Sequence, residues 1–292
     1  MRKSGIIVTL AAVLTAASFM ITPGSPVTIQ ASAYNENYTG TYQDVLDSVS
    51  PKGAIIHDEY TGLKYRVVKP FSPSTGYIDK WSGNYILNLS ETPGELEVVG
   101  HTNPKKQNYD NNVYIKIGQY IVGDETLTAP KLADDQAQSF YVTGIAKNAF
   151  KNDKVDLLSI ENYPDYHYVG SDTLTIPDGA FKNCKNLKKI EILNFVKVEF
   201  KGKAFENAPI NELTVWGDDR KYDPITWKVK KNTFKKVKSN NIKVSVFMSD
   251  YTAKSKLKKT AKTIRTALSK GGIKKSKIHA EYQYNGKMRK LK

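Results

Sequence analysis

Few side chains in this sequence are equipped for chemistry. Cys184 is the sole cysteine, set in the stretch TIPDGAFKNCKNL from Thr175 to Leu187, and four histidines, His57, His101, His167 and His279, are scattered along the chain. A lone cysteine offers a nucleophile, a metal ligand or a lipid anchor, or else a small apolar group that fills space. No H-E-x-x-H, C-x-x-C, P-loop or Gly-x-Ser-x-Gly pattern accompanies it. Carboxylates such as Asp58 or Glu59 with Asp79 make a pair only if folding unites them, and acidic residues are too common for that pairing to carry weight. With one cysteine no intrachain disulfide exists, so stability must come from a core or from stacked repeats.

The stretch around Cys184 recurs. GIAKNAFKND, TIPDGAFKNC, EFKGKAFENA and KVKKNTFKKV align on Phe150, Phe181, Phe205 and Phe234. Five residues before each Phe stands Ile145, Ile176, Phe200 or Val229; immediately before it stands Ala149, Ala180, Ala204 or Thr233. Three residues after it come Asp153, Cys184, Ala208 and Val237. Cys184 therefore shares a slot with Ala and Val and is expected to be a small buried apolar residue, with Cys184→Ser costing about 1–3 kcal/mol as an unpartnered buried hydroxyl. A β-branched run follows each block, LLSI (157–160), LKKIEI (187–192), INELTVW (210–216) and IKVSVF (242–247), each reading as a strand. One unit cannot bury its Phe alone, whereas stacked units share a continuous core.

IPDGAFKNCKNLKKIEI resembles the repeat of BspA-like (Treponema-type) leucine-rich repeat proteins: Ile-Pro, a small-Phe pair, Cys or a small residue three later, then Leu-x-x-Ile-x-Ile. The resemblance covers Val142 to Phe247. It extends more weakly to LKYRVV (63–68), ELEVVG (95–100), LTAP (127–130) and FYVTGI (140–145) upstream, and to a basic closing helix downstream. It implies a β-rich solenoid with α+β elements, about four repeats, a secreted or surface binding role and no catalytic activity. No cofactor or metal is implied.

Two spacings between the phenylalanines are too long for a single repeat, and the excess falls in ENYPDYHYVGSD (161–172) and GDDRKYDPIT (217–226). Both follow the strand of their repeat, so both should leave one edge of the array, with roots about 10 Å apart. Tyr163, Tyr166, His167, Tyr168, Asp218, Asp219, Arg220 and Tyr222 give these loops the aromatic and polar character on which binding energy concentrates. A calcium site at Asp218, Asp219 and Asp223 would use the right atoms but lacks EF-hand spacing. Farther upstream, Tyr60, Tyr65, Phe71, Tyr77, Trp81 and Tyr85 form an aromatic run that reads first as core, and alternatively as a sugar-binding face centred on Trp81 and Tyr85.

The two ends set the compartment. Arg2 and Lys3, an apolar stretch from Ile6 to Ile21 and a terminal Ala31-Ser32-Ala33 have the order of a secretory signal, so the mature chain is expected to start at Tyr34 with no transmembrane anchor left after cleavage. At the other end, residues 251–292 hold 14 Lys/Arg against the single acid Glu281, which accounts for most of the net charge of +15; between Tyr34 and Asp250 the charges balance. Leu257, Ala261, Ile264 and Leu268 mark the apolar stripe of a helix started by Asp250 or Ser255 and stopped by Gly271-Gly272. That helix should cap the array, leaving Lys256, Lys258, Lys259, Lys262 and Arg265 free to hold an anionic cell-wall polymer. A neutral body and an export signal argue against nucleic acid, and GKMRKLK carries no wall-sorting motif.

The expected organisation is thus a signal peptide (1–33), a β-rich region (34–139), leucine-rich repeats (140–249) and a basic capping helix and tail (250–292). The expected function is adhesion to a protein or glycan on a host or bacterial surface, by a secreted or non-covalently wall-associated protein. A glycan-binding or glycan-processing protein is the alternative.

Overall fold

The computed structural model describes residues 6–9, 27–30, 47, 49–58, 61–72, 77–78, 85–86, 92–101, 111–122, 138–163, 172–217, 225–234, 237, 241–249 and 252–291. In chain order the strands are β1 (Ile6–Thr9), β2 (Val27–Gln30), β3 (Ile55–His57), β4 (Leu63–Lys69), β5 (Tyr77–Ile78), β6 (Tyr85–Ile86), β7 (Gly94–His101), β8 (Asn112–Ile117), β9 (Tyr120–Val122) and β10 (Ser139–Ile145). There follow β11 (Leu157–Asn162), β12 (Thr173–Ile176), β13 (Lys189–Leu193), β14 (Lys197–Phe200), β15 (Glu212–Trp216), β16 (Thr226–Val229) and β17 (Ile242–Phe247). Helix α1 (Lys254–Lys270) precedes β18 (Ile278–Tyr284) and β19 (Lys287–Lys290).

The chain divides into two compact units. One holds residues 1–60, 66–96 and 121–141, the other 61–65, 97–120 and 142–292. The strands β3-β4-β7-β10-β9 form a five-stranded sheet in that order. Its long strand β7, GELEVVGH, alternates buried and half-buried residues, as a strand with one face on a core requires. Short pairs β1·β2 and β5·β6 also occur.

The repeats build two sheets within the second unit. A seven-stranded sheet runs β8-β11-β13-β15-β17-β18-β19, parallel from β8 to β18 and closed by antiparallel β19. A three-stranded parallel sheet, β12-β14-β16, is made from the residues that lead into Phe181, Phe205 and Phe234. Because the side chains of a strand alternate faces, the register stacks like with like. Val113, Leu158, Ile190, Leu213, Val244 and Ala280 form one buried row, and Ile115, Ile160, Ile192, Val215, Val246 and Tyr282 the next.

The four phenylalanines of the repeat stack in a column. Centroids of Phe150–Phe181, Phe181–Phe205 and Phe205–Phe234 lie 5.1, 5.4 and 5.6 Å apart with planes within 9° of parallel. The backbone follows: Phe150 N–H donates to Ala180 O, Phe181 N–H to Ala204 O and Phe205 N–H to Thr233 O. Two residues after the first three phenylalanines, Asn152, Asn183 and Asn207 sit at φ 64°, 61° and 66°. Asn tolerates this left-handed turn conformation better than other residues that carry a Cβ. Their amides form a ladder, Asn183 Nδ2 to Asn152 Oδ1 at 2.8 Å and Asn207 Nδ2 to Asn183 Oδ1 at 2.7 Å.

Helix α1 starts at Lys254 after an N-cap at Ala253 that makes no side-chain cap bond, so neither candidate cap serves: Ser255 lies inside the helix and Asp250 outside the described residues. Leu257, Ala261, Ile264 and Leu268 are buried, together with Thr260 and Ala267. The helix packs on β16, β17 and β18. At its end Gly271 offers its carbonyl to Phe234 N–H at 3.1 Å, taking the place of a further repeat. A Cβ at Gly271 would lie 2.5 Å from Val229 Cγ1 and 2.8 Å from Phe234 Cδ2, so the close approach requires glycine. Residues 278–290, read from sequence only as tail, form β18 and β19 and continue the sheet.

Candidate functional site

The outward face of the seven-stranded sheet is organised by the same register that stacks its core. At the N-terminal ends of the strands stand Leu157, Lys189, Glu212 and Lys243, with Tyr114, Ser159, Glu191, Thr214, Ser245 and Glu281 in the next row. Charges here are tied to neighbours. Lys189 Nζ lies 2.7 Å from Glu191 Oε1 and Lys243 Nζ 2.8 Å from Glu281 Oε1, while Ser245 Oγ donates to Glu281 Oε1 at 3.0 Å. The carboxylate hydrogen bonds push both ammonium groups above their ordinary range.

The row at the C-terminal ends differs. Lys116, Glu161, Leu193, Trp216 and Phe247 lie in register. Trp216 is 44% exposed, and its ring stacks on Phe247 with centroids 4.3 Å apart and planes 14° from parallel. Tyr163, just past β11, is 47% exposed and carries Lys116 Nζ 4.7 Å from its ring centroid. Tyr114, in the adjoining row, is 58% exposed. A strand alternates strictly, so Leu213 and Val215 facing inward force Trp216 outward. Aromatic area held on a rigid sheet, with its backbone already ordered, suits binding at low entropic cost.

This edge is where both inserts begin. Tyr163 and Gly217 follow β11 and β15, parallel strands separated only by β13. Of the insert residues, Tyr166, His167, Tyr168, Asp218, Asp219, Arg220 and Tyr222 lie outside the described residues, as does the Asp218–Asp223 calcium candidate. Trp81 is likewise outside, and of Tyr85 only the strand is described. Sequence reasoning singled out Tyr163 but not Trp216, Phe247 or Tyr114. Alternation within INELTVW was the signal for Trp216; its partner Phe247 follows only from register.

Cys184 is fully buried and donates its thiol to Phe150 O at 2.9 Å. Burial, and next the nearby Asp153 carboxylate, push its pKa up to about 12, the reverse of what a nucleophile or metal ligand needs. Asp153, which fills the same slot one repeat earlier, is bound by His101 Nδ1 at 3.2 Å and by Lys154 N–H. The His101 ring stands edge-on to Phe150 with centroids 5.2 Å apart. Ile145, Phe150, Ile176, Phe181, Phe200, Phe205 and Phe234 are buried, and Val229 is half-buried.

The helix lysines divide. Lys259 and Lys262 line a cleft between α1 and β16, together with Lys270 and, from β16, Lys228. Lys256, Lys258 and Arg265 do not line it.

A family model described as a BspA type leucine rich repeat region (6 copies) matches residues 115–230 and 143–271, together more than half of the chain. The chain belongs to this family. No curated protein and no solved structure matches it. The matched span takes in the end of β8, the parallel strands β11, β13, β15 and β17, the phenylalanine column and α1. As a BspA-type chain it is a repeat-based protein of a kind usually found on surfaces or secreted. Among the described residues no helix is long and apolar enough to cross a membrane.

Proposed function

We propose that this BspA-type protein is an exported, non-catalytic adhesion module that presents the outward edge of its seven-stranded sheet to a protein on another surface. The observation that carries the reading is the Trp216–Phe247 stack, exposed on a face whose other charges are largely neutralised in pairs. Tyr163 and Tyr114 widen the apolar area, and the two inserts emerge beside it. Large aromatic side chains on monomer surfaces concentrate binding energy and mark interaction sites. Export rests on the order of charged, apolar and small-residue segments in residues 1–33.

The test is binding of the purified chain to immobilised matrix proteins and, separately, to mucin glycans. Trp216→Ala is expected to weaken protein binding at least tenfold while leaving the thermal midpoint within about 2 °C, since an exposed side chain contributes little to stability. Undiminished binding by a folded Trp216→Ala variant overturns the reading. Capture by glycans alone, lost with Trp81→Ala, would favour the sugar-binding alternative. N-terminal sequencing of secreted material is expected to begin at Tyr34.

A further inference from the structure

We propose that the cleft between α1 and β16 binds an extended chain of phosphate groups. This site is distinct from the aromatic sheet edge and does not depend on the adhesion reading. The cleft encloses about 470 Å³. Its cations come from both elements: Lys228 from β16, and Lys259, Lys262 and Lys270 from α1. Among the described residues, no acidic residue lines it. Lys259, Lys262 and Lys270 have no acidic partner among the described residues. Lys228 shares Glu199, at 3.6 Å, with the closer Lys197 at 2.9 Å.

Trp227 lines the same cleft, is 7% exposed, and its indole Nε1–H has no hydrogen-bond partner among the described residues. That nitrogen is closed off from the cleft, and the ring lies against Phe200 with centroids 5.1 Å apart, so Trp227 contributes an apolar floor rather than a polar contact. The site therefore combines four positive charges, only one of which has a carboxylate partner, with no acidic residue among its described lining residues.

The shape of the array selects an extended ligand. Lys259, Lys262 and Lys270 lie on one helix face, the first and last eleven positions apart, about 16 Å along the axis at 1.5 Å per residue. A single small anion meets one or two ammonium groups; a linear polyanion meets them all. Each phosphorus in such a chain carries two non-bridging oxygens that project in different directions, so one strand can reach Lys228 and the α1 lysines together. Lysine recognises phosphate as a point charge without demanding planar, bidentate geometry. Nucleic acid fits less well, because the indole is too buried to serve as a stacking platform for bases.

The experiment is calorimetric titration of the full chain with inorganic polyphosphate of about 15 units, alongside orthophosphate and poly-glutamate of matched charge. Lys259→Gln/Lys262→Gln is compared with Lys256→Gln/Lys258→Gln, which removes the same charge from the same helix outside the cleft. Lys228→Gln probes the other element. The expected result is polyphosphate binding weakened at least tenfold by the cleft pair and severalfold by Lys228→Gln, but less than twofold by the outside pair. Equal loss in both pairs, no loss with Lys228→Gln, poly-glutamate binding as tightly as polyphosphate, or no polyphosphate binding would each overturn the proposal. Bacterial wall before and after removal of its phosphodiester polymers distinguishes a wall source of the ligand from free polyphosphate.

Discussion

A thiol whose pKa is pushed to about 12 is chemically quiet at neutral pH, with a thiolate fraction of about one in 10⁵ at pH 7. Native Cys184 is expected to resist thiol reagents at pH 8 and to react fully once the chain is denatured; rapid labelling of the native protein would contradict its burial. The same shift makes stability depend on pH in a defined direction. Below pH about 9 the thiol is protonated in both folded and unfolded chains, so its contribution is constant. Between about 9 and about 12 the unfolded chain releases a proton that the folded chain keeps, and stability falls by up to about 1.4 kcal/mol per pH unit. Urea unfolding of wild type and Cys184→Ala at pH 8 and pH 10.5 isolates this effect, because the other titrating groups are common to both. The hydrogen bond to Phe150 O also revises the expectation for serine: its hydroxyl would inherit an acceptor, placing the cost near about 1 kcal/mol rather than that of an orphaned group. The slot of Cys184 was legible because Ala208 and Val237 occupy it in sister repeats. Asp153 in that slot was legible too, but not how it is satisfied, since His101 lies 52 residues upstream and no local pattern links them.

The recurring element is a strand, a turn through an Asn and a stacked Phe, and each part constrains the next. Phe181 has a Phe on both sides of its ring and is fully buried. Phe181→Ala is expected to cost about 3–5 kcal/mol in chemical denaturation, as large core truncations do; a loss below about 1 kcal/mol would mean the column does not hold the repeats together. At the turn, Asn183→Gly should be milder than Asn183→Ala, because glycine accepts φ 61° without strain while alanine loses both the conformation and the ladder. Strands after each Phe were legible from their β-branched runs. β12, β14 and β16 were not, because each is four residues long and KVEF and TWKV mix charge with apolar residues. They become strands only because sister segments lie in register beside them. The candidate binding edge was legible to the same degree: alternation turns Trp216 outward, but Phe247 lies 31 residues later and meets it through parallel pairing alone.

Across the array, the decisive question is how it ends. A parallel sheet leaves an open edge at its last strand, and an unpaired edge invites association. Here β17 is covered by β18, and β18 by the antiparallel β19, whose side chains Lys287, Arg289 and Lys290 place charge at the boundary. Four exposed residues in β19 and a charged rim are how natural sheets discourage further pairing. Simultaneously α1 covers the end of the phenylalanine column and supplies Gly271 O to Phe234 N–H. The segment from 252 onward is thus part of the folding unit; sequence alone marked its helix as a cap but left residues 278–290 as tail. A chain ending at residue 249 loses the partner of β17, the acceptor for Phe234 and the cover over Val229 at one stroke. It is expected to lose its cooperative thermal transition or to self-associate, measured by circular dichroism together with size-exclusion chromatography. A monomeric truncated chain that melts cooperatively near the full-length midpoint would show that the repeats stand without their closure. Only Gln substitutions in the intact helix, not its removal, can therefore separate what the lysines bind from what the helix holds in place.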